Sequence, residues 1–99
     1  MADPLKSDSV DGEEQILRVA SGSSASQLAI AISHAVYDSK RVTLRAIGAA
    51  AVNQAIKGVA IAQSHVGLRG LTLYCRPGFL TVKMKDADVS AIVIRVEAK

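Results

Sequence analysis

Few side chains in this chain could move a proton, attack a carbon or hold a metal, and those few are scattered. His34 and His65 stand in separate segments, with no H-E-x-x-H spacing around either and no G-x-S-x-G around any serine. Asp86 and Asp88 fall in "KDAD", a stretch that reads as a turn, where carboxylates are ordinary solvated residues. The single cysteine, Cys75, cannot form an internal disulfide, has no C-x-x-C partner, and reads as a buried strand residue. Catalysis needs a base, a nucleophile or a metal in convergent geometry. The sequence therefore points away from an enzyme, and no metal or other cofactor is expected.

What the sequence does offer is charge. Residues 1–14 carry Asp3, Asp8, Asp11, Glu13 and Glu14 against Lys6, a net −4. Residues 15–99 carry the other eleven Lys and Arg against Asp38, Asp86, Asp88 and Glu97, a net +7. A basic domain suits a polyanionic partner, and an acidic, apolar-poor tail of this composition reads as disordered. The loop "SGSSAS" follows a strand and opens a helix, so it resembles a phosphate cradle, yet it lacks both G-x-G-x-x-G and G-K-[ST] spacing. Contact with one backbone phosphate is the most it suggests, against a plain capping loop.

These groups must be positioned by one domain, since 99 residues support a single core. With no Trp, one Phe and two Tyr, that core must be built from small and β-branched side chains. The longest apolar runs fall far short of the ~20 residues of a membrane helix, and there is no secretory stretch, so a cytoplasmic protein without a membrane partner is expected.

"QILRVA" (15–20) alternates as a strand, with Leu17 and Val19 on one face and Arg18 on the other. Ser24 followed by Gln27 is a capping-box pattern that starts a helix running to about Ser39. On a 3.6-residue period Leu28, Ala31, Ile32, Ala35 and Val36 share its inner face, and Ser33, His34, Tyr37 and Asp38 lie away from it. "RVTLRAIG" (41–48) returns to period 2, with Val42, Leu44 and Ala46 inward and Thr43, Arg45 and Ile47 outward. A second helix over about 49–66 presents Val52, Ala55, Ile56, Val59, Ala62 and Val66 as its apolar stripe, with Asn53, Lys57 and Ser64 on the opposed flank. "LTLYC", "FLTVKMK" and "VSAIVIRVE" read as strands, with Pro77-Gly78 kinking one long strand and "KDAD" (85–88) turning a hairpin. The order is β-α-β-α-β-β, and right-handed crossovers put both helices on one face of a four-stranded mixed sheet.

"RAIGAAAVNQAIKGVAIAQ" (45–63), followed by "LYCRPGF" and a closing "AIVIRVE", resembles the stage V sporulation protein S family, small bacterial proteins with an Alba-like fold. The likeness spans about residues 15–97. It implies a two-layer α/β sandwich, the order just read from periodicity. It also implies a homodimer that binds DNA or RNA and acts in regulation. Alba chromatin proteins carry paired lysines in the loop before the first helix; here no basic residue lies between Arg18 and Lys40, so that mode of binding is not expected.

On this reading Arg45, Lys57, Arg69, Lys83 and Lys85 are the candidate phosphate contacts, with Asn53 and Gln54 adding neutral hydrogen bonds. The resemblance places Lys83 and Lys85 on a hairpin arm that reaches toward a groove. Arg18 and Arg95 read as ordinary solvated surface. Aromatic side chains suited to stacking on bases are nearly missing, so sequence-specific single-strand recognition is not expected. The same helix flank has a competing use. Ile61 follows Asn53 and Lys57 at one-turn intervals, and Gly58 and Ala60 would let a second helix approach, which suits a homodimer interface. The alternative function is a protein-interaction module that assembles regulatory complexes without binding nucleic acid.

Overall fold

The computed structural model of the protein describes residues 7–10 and 14–99. The elements run β1 (Ser7–Val10), β2 (Glu14–Val19), α1 (Ala25–Tyr37), β3 (Arg41–Ala46), α2 (Ala49–Val66), a 3-10 turn (Gly67–Arg69), β4 (Leu73–Lys83) and β5 (Asp88–Ala98). From β2 onward this is the expected β-α-β-α-β-β order. The tail expected to be disordered over residues 1–14 contains β1 at the sheet edge, and its residues 1–6 and 11–13 lie outside the described residues.

The strands lie in the order β1-β2-β3-β5-β4, with β2 parallel to β3 and every other neighbouring pair antiparallel. Two antiparallel steps through β5 make β4 run the same way as β3. The carboxyl ends of β2, β3 and β4 therefore gather at one end of the molecule. The amino ends of both helices lie there too, because each helix begins a few residues after β2 or β3.

Register explains the core. Leu17, Leu44 and Ile94 align across β2, β3 and β5, as do Val42 with Val96 and Val19 with Ala46, and all of these side chains are buried. Leu28 and Ile32 of α1 and Ala55, Ala62 and Val66 of α2 close over them at 0% exposure. Each fully buried Leu, Ile or Val contributes about 1.5–3 kcal/mol of transfer free energy.

Both helix boundaries fall within two residues of the expected ones, and Ser24 caps α1 by accepting from the Gln27 N–H at 3.2 Å. The buried faces are rotated from the expected stripes. On α1 Ala29 and Ser33 are buried; on α2 Ala51 and Gly58 are buried and Ile56 is 47% exposed. The stripes assume a helix resting only on a sheet, whereas α1 and α2 also pack against each other. Each buried arc is therefore shared between the sheet and the partner helix. A Cβ at Gly58 would stand 2.6 Å from Leu28 Cδ2, so glycine here sets the helix separation. Ser33 satisfies its hydroxyl on the Ala29 carbonyl at 2.8 Å and lies 3.4 Å from His65 Nδ1.

Strand β4 is continuous through Pro77 and Gly78, as expected, and proline is tolerated there because β4 is an edge strand. Its hairpin closes through residues 84–87, with the Met84 N–H donating to the Ala87 carbonyl at 3.0 Å. Cys75 is exposed rather than buried, because the helices lie over β2 and β3 and leave the β4 edge uncovered.

Candidate nucleic-acid interface

Two of the arginines are placed by strand pairing. Arg18 and Arg45 are register partners one residue before the ends of β2 and β3, so their side chains leave neighbouring strands on the same face. Both line a cleft of about 630 Å³ at the carboxyl ends of these strands, where the first turn of α2 and residues Val82 and Met84 of the hairpin complete the wall. Lys83, the last residue of β4, and Lys85, in the turn, are exposed on that hairpin. Four cations thus belong to one end of the molecule, on three strands that run the same way.

The other expected contacts divide. Asn53 and Lys57 are exposed on the outer side of α2, one turn apart, leading away from the cleft. Arg69 follows α2 at its far end, which 18 residues at 1.5 Å each put about 27 Å away. There its guanidinium stacks on the Tyr37 ring at 4.0 Å, closing the end of α1 against the end of α2. Gln54 is structural: its Nε2 donates to the Ser23 carbonyl at 2.8 Å and ties α2 to the loop before α1.

That tie settles how the "SGSSAS" loop is used in the fold. The Ser23 hydroxyl accepts from the Ala20 N–H at 2.8 Å, the Ser24 hydroxyl caps α1, and the Ser23 carbonyl takes Gln54. Helix α2 begins differently. Its N-cap is Gly48 at φ +91°, with no side-chain cap and no acid in the first turn. The positive φ is a backbone conformation that suits glycine.

For the expected dimer contacts, Gly58 is buried against Leu28 of its own chain, Ile61 is partly buried against the core, and Ala60 is exposed. Sequence reasoning passed over Arg18, whose signal was positional: it precedes the end of β2 as Arg45 precedes the end of β3. Arg95 lies on the open sheet face with Arg76 as its cross-strand partner, and Arg76 pairs with Glu97 at 2.7 Å. That exposed pair is worth at most about 1 kcal/mol.

Cys75 has its thiol pKa raised, because neighbouring protein atoms strip away part of its water. Among the described residues no group of three or more His, Cys, Asp or Glu could hold a metal ion, and no helix is long and apolar enough to cross a membrane.

A two-layer α/β sandwich of Alba-like topology, with cations gathered where its parallel strands end, defines the class. Within it the family is also clear. The model of stage V sporulation protein S (SpoVS) matches residues 15–99, and the chain belongs to that family, whose members are sporulation regulatory proteins.

Proposed function

We propose that the protein is a non-enzymatic regulator that binds DNA or RNA as a homodimer, chiefly through phosphate contacts. The observation that carries this reading is the gathering of Arg18, Arg45, Lys83 and Lys85 at one end of the sheet. Family membership supports the regulatory part. Lys and Arg gain affinity by releasing counterions from the phosphate backbone, without reading base edges, so binding should be strongly salt-dependent and weakly sequence-dependent. Asn53 and Lys57 extend the same surface along α2; Arg69, engaged with Tyr37, serves the fold first.

The test is a salt titration of affinity for random duplex DNA and RNA. Affinity should fall steeply from low to moderate salt, and Lys83→Ala with Lys85→Ala should flatten the log–log slope by roughly 2 for each protomer in contact, about 4 if both arms of the dimer bind. Sedimentation of the same preparation should give twice the 10.3 kDa chain mass. A folded dimer that binds neither nucleic acid at low salt would overturn the reading. It would favour instead a protein-interaction module, for which the exposed Phe79 (82%) and Leu68 (89%) are the supporting observation.

A further inference from the structure

The cleft at the ends of β2 and β3 has two chemically different walls. One carries Arg18 and Arg45 together with the first turn of α2, Ala49–Ala51. The first helical bond from that turn is donated by Val52 to the Gly48 carbonyl at 3.1 Å, so the N–H groups of residues 49–51 have no acceptor within the helix. The other wall is apolar: Ile47, Val82 and Met84, with Ile47 43% and Met84 53% exposed.

We propose that this cleft holds one nucleotide unit, its phosphate against Arg18, Arg45 and the first turn of α2, and its base against Ile47 and Met84. A bare phosphate would gain nothing from the apolar wall, and an apolar ligand would make no use of the positive charge of the two arginines. A nucleotide carries both an anion and a flat, weakly polar ring. The volume lies within the 300–1,000 Å³ of small-molecule sites, and a methionine thioether makes favourable contacts with an aromatic ring. The unit comes either from a free nucleotide or from an unpaired residue of a bound strand. Only the second source rests on the nucleic-acid reading above.

The test follows backbone amides of the full chain by NMR during titration with AMP, inorganic phosphate, a short oligoadenylate and a blunt duplex. AMP should shift residues 47–51 and 82–84 and bind at least about tenfold tighter than phosphate. Ala50→Asp puts a carboxylate into the cleft where a helix N-terminus tolerates it well. It should weaken AMP by about tenfold or more with the fold intact, while Ala60→Asp, on the exposed side of the same helix, changes little. Oligoadenylate shifting the same amides identifies an unpaired strand residue as the source; AMP alone doing so identifies a free nucleotide. AMP binding no better than phosphate, or shifts away from the cleft, would overturn the proposal. So would equal loss in both aspartate variants. If AMP is silent while duplex binds with the expected salt slope, the cleft proposal fails and the nucleic-acid reading stands. AMP binding without any oligonucleotide binding gives the reverse.

Discussion

At the scale of single residues, the polar groups inside the Ala-rich stretch 45–63 separate into different jobs. Gln54 holds a loop carbonyl, Arg45 reaches the cleft, and Asn53 and Lys57 remain at the surface. Gly58 is the most constrained of its neighbours. Glycine in a helix interior costs about 1 kcal/mol relative to alanine, yet a methyl group here meets Leu28, a side chain with no exposed surface. Overpacking of that kind costs ~1–3 kcal/mol, so Gly58→Ala should lower stability by about 1 kcal/mol net in a denaturant melt. In a Leu28→Ala background the two closest atoms, Cδ2 and Cγ, are gone and only Cβ at 3.2 Å remains, so the same change should lose its cost and turn mildly stabilising, a coupling that a double-mutant cycle reads directly. Cys75 offers a second prediction. Its raised pKa leaves less thiolate at any pH below that value than a free cysteine has. Alkylation by iodoacetamide at neutral pH should be slower than that of a small thiol, and the rate should climb at higher pH. A rate above the free thiol's would contradict the desolvation argument.

At the scale of elements, the two helices begin in opposite ways. Helix α1 is closed by Ser24, and its loop spends its hydroxyls and a carbonyl on the fold. Helix α2 starts from Gly48 without a side-chain cap, beside two arginines. The proposed phosphate contact therefore lies at the second strand-to-helix junction, although the first has the composition more reminiscent of a phosphate loop. The β4–β5 hairpin adds Lys83 and Lys85 to the same end because β4 is parallel to β3.

At the scale of the whole molecule, charge is divided between an acidic segment and a basic domain. The segment's strand β1 pairs with β2, the strand that carries Arg18, so the acidic segment is joined to the basic domain by backbone pairing as well as by sequence. They should compete with phosphates. Replacing Asp3, Asp8 and Asp11 with Asn and Glu13 with Gln keeps the chain length and the backbone pairing. That variant should bind duplex DNA or RNA several-fold more tightly at low salt, with the difference fading as ions screen it. Equal affinity at low salt would remove the tail from the binding equilibrium.

The sequence by itself determined the order of elements from β2 onward, the cap of α1, the single strand running through Pro77 and Gly78, and the charge division. Each depends on local periodicity, turn chemistry or composition, which neighbouring residues carry among themselves. It also named Arg45, Lys83 and Lys85, which the fold brings to one end of the sheet. Only the tertiary structure decided that Arg18 stands beside Arg45, that Arg69 lies at the far end on Tyr37, and that Gly58 and Ser33 face the other helix. Those are relations between segments distant in the chain, set by strand register and by how two helices share one sheet face. A helical stripe read from one segment has no information about the second helix against which it will be rotated.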